Sequence, residues 1–397
     1  MRALFYRYNS ICEPDYIEAF KTIGLEVSTI EIEMLAKNLT LEKKVEILGE
    51  KVLTEKPLFI FSINYFPFIA MVCEKLKYLY VCVSVDCPVV ELFSTTIKSP
   101  YNRVFLFDQS QYEDVKDYNP DCIYHLPLGV DVNRIDNTIG KPDFESINYK
   151  YDVSFVGSLY NEKDSYMDIR SCLSKRTQGY CDGLIEAQLL FHGQELLEDC
   201  VTEEVIDELK KCDKNFYPAM MNVVNTDRFV AVNNYLSYHI THIDRVLFLN
   251  RIAKIADIHF FTRSDTFLLK GVNIHGGVSS LKEMPLVFRE SKININHTMR
   301  AIKIGLPQRI WDVLGSGGFL LSNYQSELPK YLEIGKHLAA YETAEEAEEL
   351  ISYYLTHEDE RLEIANAGYL FAKENNQVVN RVSTMIKTVL ESIENRV

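Results

Sequence analysis

The stretch Lys303–Gly318 reads KIGLPQRIWDVLGSGG, and the apolar run Phe319–Leu321 follows it directly. This order predicts a tight turn at Gly305-Leu306-Pro307, a short helix, a glycine stop and a buried strand. A helix that begins at such a turn presents backbone N–H groups to an anion such as a diphosphate. The stretch therefore predicts one unit of an α/β sheet with an anion site at its turn.

Arg309 adds a fixed cation to this turn, and Asp312, about one helical turn further on, is placed to accept two hydroxyls of a ribose. We therefore expect Gly305, Leu306, Arg309 and Asp312 to bind a nucleotide-sugar, with the Asp312 carboxylate solvated until the ligand arrives. The alternative is an ordinary capped helix start, in which Asp312 only fastens its helix to a neighbouring loop.

The composition is that of a globular protein and limits the partners. The chain has 397 residues, which favours two domains, and 47% of them are hydrophobic. With 42 basic and 57 acidic residues, the net charge is −15, so no electrostatic footprint for nucleic acid or anionic lipid is present. No run of about 18 apolar residues predicts a membrane span, and no signal peptide is evident, so the cytoplasm is the expected location.

The nine cysteines are odd in number and show no C-x-x-C spacing. Several lie inside apolar runs, such as Cys82 in the run 80–83. We expect reduced, buried cysteines rather than a disulfide or zinc framework.

Short apolar runs alternate with amphipathic helices along the chain. Uninterrupted apolar strands of this kind are typical of a parallel sheet that is covered on both faces, which is a doubly wound, Rossmann-like domain. The predicted strands are 3–6, 27–32, 58–63, 79–85, 104–107 and 122–124 in the first half, then 153–157, 259–261 and 319–321.

We expect two such domains that face each other across a cleft. The polar stretch 136–150 predicts a linker between an N-terminal domain, 1–135, and a C-terminal domain, 151–375. A helical elaboration is expected at about 161–250, and helical spacing of apolar residues predicts a closing helix in 376–397. Ligands of such sheets bind at the carboxyl ends of the strands.

In the first domain, Asn64 and Asp86 directly follow predicted strands, Asn9 lies shortly after the strand 3–6, and His125 follows the strand 122–124. Asp86 would be held rigidly over the cleft, as a general base for a hydroxyl must be. The alternatives are that Asp86 caps the following turn and that His125 lines the hinge instead of contacting an acceptor. Asn9 and Asn64 are candidates for the acceptor cleft.

In the second domain, a glycine and several cations follow predicted strands or precede the turn at 305–307. These are Gly157, Lys163, Arg263 and Arg300, which together with Arg309 could neutralise a diphosphate. The alternative for any single one of these cations is an ordinary surface position.

Metal chemistry finds little support in the sequence. His239 and His242 are spaced i, i+3 near Asp244, but no third ligand motif accompanies them, so a structural pair is expected. No Asp-x-Asp occurs, although one large class of glycosyltransferases holds its donor through a metal at that motif. We therefore expect no metal and no cofactor.

In combination, these residues resemble the CgeB-like (spore-protein type) glycosyltransferase family with its associated N-terminal domain, over nearly the whole chain. The segments that carry the resemblance are 6–8, 12–15, 61–67, 86–88, 125–129, 154–160, 293–300, 305–309, Asp312 and 317–321. The resemblance implies the GT-B fold, which is α/β with two Rossmann-like domains.

The broader GT-B retaining enzymes carry G-R-L-x-x-x-K-G at the start of the second domain. Here Gly157, Leu159 and Lys163 fit that motif, whereas Ser158 replaces its Arg and Asp164 its last Gly. Those enzymes also carry two Glu residues eight apart.

Asp312 matches the second of these Glu residues, and Ile304 stands in place of the first. The resemblance implies transfer of a hexose from a nucleotide-diphosphate sugar, UDP-linked, to a protein, polysaccharide or small acceptor. A nucleotide-sugar 2-epimerase and a non-catalytic sugar-binding or spore-structural protein are the alternatives.

Overall fold

The structure is a computed structural model that describes residues 2–35, 39–191, 196–217 and 226–394. The chain forms two compact units. The first takes in the chain up to Asp131 and again from Asn375 onward, and the described residues between Val132 and Glu374 form the second. In the described part of the chain, every helix is too short or too polar to cross a bilayer.

A six-stranded parallel sheet in the order β2-β1-β3-β4-β5-β6 is the centre of the first unit. Its strands are β1 (Arg2–Tyr6), β2 (Glu26–Ile30), β3 (Phe59–Ile63), β4 (Leu79–Ser84), β5 (Asn102–Leu106) and β6 (Ile123–His125). The helices between them are α1 (Glu13–Thr22), α2 (Ile32–Leu35), α3 (Leu41–Glu55), α4 (Pro67–Leu76) and α5 (Gln109–Val115).

Alternate residues of these strands pack into two separate cores, one on each face of the sheet. Leu4, Ile60 and Cys82 belong to one core, and Phe5 and Phe61 belong to the other. Because β1 pairs with β2 on one side and β3 on the other, the strand order reverses there. A crevice is expected at the carboxyl ends of strands at such a point.

The second unit has its own six-stranded parallel sheet, in the order β12-β11-β10-β7-β8-β9. Its strands are β7 (Tyr151–Val156), β8 (Ile258–Phe261), β9 (Asn273–His275), β10 (Ser291–Asn296), β11 (Leu320–Asn323) and β12 (Ala339–Tyr341). The strand order reverses at β7, which lies between β8 and β10.

The helices of this unit begin with α6 (Val132–Ile139), α7 (Ser165–Ile169), α8 (Lys175–Leu190), α9 (Leu197–Cys200), α10 (Glu203–Cys212), α11 (Asp227–Val230) and α12 (Tyr238–Ile252), with a π-helix at Ala231–Ser237. The later ones are α13 (Met284–Arg289), α14 (Gln308–Ser316), α15 (Leu328–Tyr331), α16 (Ala344–Thr356) and α17 (Glu358–Asn375). Short 3-10 helices lie at Val90–Phe93, Thr95–Lys98, Lys116–Tyr118, Asn161–Lys163 and Arg170–Cys172.

The predicted α/β class with two parallel sheets is confirmed. The predicted turn, helix and glycine stop are present too, since α14 ends at Gly317 with a φ of 77°. A side chain at Gly317 would also meet Pro142 Cβ at 3.0 Å.

The boundary regions differ from the sequence prediction. The predicted linker, 136–150, is not irregular throughout, because α6 overlaps its first residues and buries Val132 and Ile135. Strands β9, β10 and β12 and helix α3 were not predicted. Within the predicted helical elaboration, 192–195 and 218–225 lie outside the described residues, as do 395–397 of the predicted closing helix.

The closing helix is α18 (Val378–Glu394), and it packs on the first unit. Val382 and Met385 lie in the same core as Phe20 and Phe61. The chain therefore returns to the first unit after it has built the second.

The cysteine prediction is wrong for one pair. Cys172 and Cys212 form a disulfide with their Cα atoms 5.8 Å apart, and they lie 40 residues apart in sequence. Spacing gave no signal because the pairing depends on how the helices between β7 and β8 pack. The other seven cysteines are not disulfide-bonded, and five of them are buried.

We expect the double variant Cys172→Ser/Cys212→Ser to melt several degrees lower than the parent. A bond that closes a loop of 40 residues stabilises by about 3–4 kcal/mol in the chain-entropy account. Calorimetry with and without a phosphine reductant measures this, with Cys200→Ser, which removes a free thiol, as control. An equal melting point for parent and double variant would contradict the bond.

Candidate functional site

A pocket of about 300 Å³ opens in the second unit at the carboxyl ends of β7 and β8. Its walls come from five segments: the loop after β7, the loop after β8, the loop after β9, the start of α13, and the first turn of α14. The lining residues that matter below are Gly157, Glu162, Arg263, Gly277, Met284 and Arg309. Three of the predicted binding residues, Gly157, Arg263 and Arg309, therefore lie in one cavity.

Arg309 lies in the first turn of α14, with its guanidinium 5.3 Å from the ring centre of Phe288. Its Nη1 contacts the sulfur of Met284 and lies 3.4 Å from Asp312 Oδ2. Burial lowers the pKa of Arg309, although the Asp312 carboxylate opposes this effect. A half-buried guanidinium of this kind gains electrostatically when an anion binds.

Asp312 lies beside Arg309, and its side chain is only 16% exposed, so the carboxylate is largely withdrawn from solvent. Its Oδ1 accepts a hydrogen bond of 3.1 Å from Gln308 Nε2. Burial raises the pKa of Asp312, against the opposing effects of Arg309 and Gln308. The expectation of a solvated carboxylate is thus wrong, because the Asp312 side chain is largely buried and contacts Gln308 and Arg309 of the same helix.

The turn before α14 is buried at Gly305 and Leu306, and Pro307 occupies the N-cap position. Pro307 has no side-chain oxygen to cap the helix, and Arg309 lies in the first turn. This is the arrangement that the sequence predicts for an anion site.

Arg263 leaves the end of β8 and lies across Gly277. A Cβ at Gly277 would come within 2.5 Å of Arg263 Cγ and 2.6 Å of its Nε, so only glycine fits beneath the arginine in this position. The Arg263 side chain is exposed and has no carboxylate partner among the described residues. It is therefore available to a ligand in the pocket.

Lys163 and Arg300 do not join this pocket. Lys163 Nζ packs 5.6 Å from the ring centres of both Tyr160 and Tyr238. Arg300 Nε donates to Asp244 Oδ2 at 2.8 Å, and its Nη1 donates to the carbonyl of Phe191. The sequence places Lys163 and Arg300 near the loops of the pocket. In the structure, the tyrosine rings hold Lys163 and the Asp244 carboxylate holds Arg300 outside it.

The carboxylate of Asp244 contacts both Arg300 and His297. His297 Nε2 lies 2.9 Å from Asp244 Oδ2, and His297 Nδ1 lies 2.8 Å from the hydroxyl of Tyr341. Although burial opposes ionisation, His297 and Arg300 hold the pKa of Asp244 well below its usual range. The group is a satisfied, buried network.

Two charged residues of the pocket region were missed by sequence reasoning. Glu162 lines the pocket and accepts hydrogen bonds from the hydroxyls of Ser158 and Ser264. Arg245, on α12, lies beneath Gly157, with Nη1 3.7 Å from the position a Cβ there would take. The only signal for Arg245 was a charge on the buried stripe of an amphipathic helix.

In the first unit, Asn64 joins the ends of β1, β3 and β4. Its Nδ2 donates to Asp86 Oδ2 at 2.6 Å and to the hydroxyl of Tyr8 at 3.0 Å. Its Oδ1 accepts from the backbone N–H of Val85 at 3.0 Å and from the hydroxyl of Ser84. Asn64 has a φ of 58°, a left-handed conformation that asparagine tolerates better than most residues.

This arrangement favours the functional interpretation of Asp86 over the capping alternative. Its side chain is exposed, and the hydrogen bond to its carboxylate comes from Asn64 rather than from the turn that follows. The carboxylate is therefore held at a strand end with one face open, as a general base requires.

Asn9 and His125 are less closely connected with this group. Asn9 follows β1, is exposed and has a φ of 75°. His125 ends β6, which lies two strands from β4, so about 10 Å separates the two strand ends. Its Nε2 lies 3.1 Å from the carbonyl of Phe107, which favours a positioning role within its own strand end.

The two histidines at i, i+3 have separate partners. His239 Nδ1 lies 2.8 Å from Asp164 Oδ2, and His242 Nδ1 lies 3.2 Å from the carbonyl of Leu159. Within the described ranges, no group of three His, Cys, Asp or Glu residues is arranged to hold a metal ion.

Residues 245–387 match the family model described as glycosyl transferase-like, a segment that contains Arg263, Arg309 and Asp312. No curated protein matches the chain.

Solved structures match over nearly the whole chain. An α-glucosyltransferase in complex with UDP and a 13-mer DNA is 10% identical, with a TM-score of 0.54 and coverage of 98% of this chain and 99% of that one. HepE from Anabaena, in complex with UDP and glucose, is 12% identical, with a TM-score of 0.51 and coverage of 98% and 100%. A putative UDP-N-acetylglucosamine 2-epimerase from Listeria monocytogenes is 11% identical, with a TM-score of 0.50 and coverage of 98% and 96%.

The chain has the GT-B fold. At these identities the likeness shows the fold alone, and the GT-B architecture predicted from the sequence is confirmed. Both transferases and epimerases are built on GT-B, so the choice between them depends on the site.

Proposed function

We propose that this chain is a metal-independent glycosyltransferase that moves a hexose from a UDP-sugar to a protein, polysaccharide or small acceptor. The observation that carries the proposal is the pocket in which Arg263 and Arg309 converge on Gly157. Guanidinium groups at a helix start and a glycine loop suit a diphosphate. The glycosyl transferase-like family match and the two structural neighbours in complex with UDP support the choice of nucleotide.

Within this proposal, the second unit binds the donor. Arg309 and Arg263 neutralise the diphosphate, Gly157 lets the backbone approach it, and Asp312 accepts the ribose hydroxyls. The turn at Gly305 and Leu306 offers the helix start to the phosphates. The proposal places this chain among the CgeB-like glycosyltransferases, which its sequence resembles.

The first unit presents the acceptor. Asp86 takes the proton of the attacking hydroxyl, and Asn64 holds its carboxylate in place. The hydroxyl oxygen then forms the new bond to the anomeric carbon, and the bond to the diphosphate breaks with the electron pair leaving on the UDP.

A donor screen followed by a turnover assay tests the proposal. We expect a UDP-sugar to raise the melting temperature, since a ligand at 100 times its dissociation constant stabilises by about 2.7 kcal/mol. UDP release should then depend on an added acceptor extract, and Asp86→Asn should abolish it. Interconversion of the UDP-sugar without UDP release would indicate the 2-epimerase. Binding without either reaction would indicate the non-catalytic sugar-binding protein.

We expect EDTA to leave both UDP affinity and turnover within error. The reason is that the sequence has no Asp-x-Asp and the pocket supplies guanidinium charge in the place of a metal. Titrations with EDTA and with Mn²⁺ measure this. A large loss in EDTA that Mn²⁺ restores would contradict the metal-independent mechanism.

A further inference from the structure

Arg245 is a buried cation directly beneath Gly157, which lines the pocket with Arg263 and Arg309. Its side chain belongs to α12, and the residue is only 8% exposed. Nη1 donates to the carbonyl of Ser158 at 2.5 Å, and Nη2 donates to the carbonyl of His297 at 2.6 Å. The guanidinium thus ties the loop after β7 to the residue that follows β10, across the point where the strand order reverses.

The loop above Arg245 is shaped around it. The guanidinium lies 4.9 Å from the ring centre of Tyr160 and 5.3 Å from that of Phe155. Tyr160 has a φ of 64°, a left-handed conformation that costs free energy for a tyrosine and needs support from its surroundings. The stacked guanidinium and the bond to Ser158 supply that support.

The charge of Arg245 is incompletely balanced. Both of its hydrogen-bond acceptors are carbonyls, and its buried Nε–H has no acceptor among the described residues. Asp244 precedes Arg245 in the chain, but its carboxylate is hydrogen-bonded to His297 and Arg300. Burial lowers the pKa of Arg245, and the charge of Arg309 lowers it further.

We propose that Arg245 is a positioning residue of the donor site: it fixes the loop 157–160 over the pocket, and its charge is balanced by the bound phosphates. This inference rests on the proposed function, because it needs a phosphorylated ligand in the pocket. Arg309 touches the ligand directly, whereas Arg245 acts through Gly157 and Ser158 and through its field. In a buried setting that field is only weakly screened.

The test compares Arg245→Met and Arg245→Lys with Arg251→Met. Arg251 lies on the same helix, but it pairs with Glu345 and Glu348 and does not line this pocket, so it is a matched control. Titration calorimetry with UDP, uridine and inorganic pyrophosphate gives the affinities, and a melting curve of each variant gives the stability.

We expect Arg245→Met to weaken UDP and pyrophosphate by about 10-fold or more, with uridine within about two-fold of the parent. Arg245→Lys keeps the positive charge but cannot donate to the carbonyls of Ser158 and His297 together, so its loss of UDP affinity should be smaller than that of Arg245→Met. Arg251→Met should bind UDP like the parent. An equal loss for UDP and uridine, or UDP affinity within two-fold of the parent, would overturn the inference.

If Arg245→Met fails to fold, Arg245→Lys decides by the same comparison. A loss of about three-fold for UDP with uridine unchanged supports the inference, and an equal change for both overturns it. A parent protein that binds neither UDP nor pyrophosphate would instead overturn the proposed function itself.

Discussion

Replacing Arg309 by alanine should weaken UDP binding by about 100-fold and leave uridine binding nearly unchanged. Charge-assisted hydrogen bonds are worth about 1.5–3 kcal/mol each, and the loss of one or two of them from a phosphate gives a factor of this size. Arg309 is the cation for which the structure shows both a place in the pocket and partial burial. Uridine has no phosphate for the guanidinium to contact, so its affinity should not depend on Arg309.

Titration calorimetry of the parent, Arg309→Ala and Arg309→Lys with both ligands measures this effect. Arg300→Lys is a useful comparison, because Arg300 is engaged by Asp244 and should affect stability more than UDP affinity. If Arg309→Ala weakens UDP and uridine equally, or neither of them, Arg309 only supports the packing of α14 on Phe288.

Replacing Asp312 by asparagine should weaken UDP binding by about 10-fold and remove the preference for UDP over 2′-deoxy-UDP. The carboxylate is expected to accept the ribose hydroxyls, and asparagine keeps its shape while it loses the charge. Comparison of the two nucleotides in parent and variant isolates the 2′-hydroxyl. A variant that still prefers UDP by the same factor would remove Asp312 from the ribose site.

The stability of the same variant has a definite pH dependence. Burial raises the folded-state pKa of Asp312 above its ordinary value of about 3.9, so the folded protein binds this proton more tightly than the unfolded chain. The parent therefore loses stability as the pH rises from about 4 through that raised pKa. Asparagine does not ionise, so the melting temperature of the variant relative to the parent should increase across this window.

Melting curves from pH 3.5 to 7.5 check this expectation, with Asp265→Asn, an exposed acid in the loop after β8, as control. If the melting temperature of Asp312→Asn is lower than that of the parent at neutral pH, with UDP affinity unchanged, then the carboxylate only fastens its helix.

The elements with the strongest local signals were predictable from the sequence. Buried parallel strands such as β3 and β4 are uninterrupted apolar runs, and the helix 308–316 is bounded by proline and glycine. Strands β9 and β12 have only three residues each, and each holds a single large apolar or aromatic residue besides the histidine of β9, so their pairing depends on the sheet rather than on their own sequence.

The membership of the site was predictable only in part. Residues that follow a strand end or a helix start, such as Gly157, Arg263 and Arg309, lie where their position in the motif implies. Lys163 and Arg300 satisfy the same local rule, but nearby rings and a buried carboxylate hold them elsewhere. Contacts of that kind depend on the tertiary fold and leave no pattern in the local sequence. The same holds for Arg245, which contacts a loop 87 residues away in sequence.

The central claim is that a nucleoside diphosphate binds in the second unit between the loop after β7 and the start of α14. A crystal structure of the protein with UDP, in the presence of EDTA, tests it most directly. We predict phosphate oxygens within hydrogen-bond distance of Arg309 and Arg263, and ribose hydroxyls on Asp312. UDP bound away from Gly157 and Arg309, or absent at millimolar concentration, would contradict it.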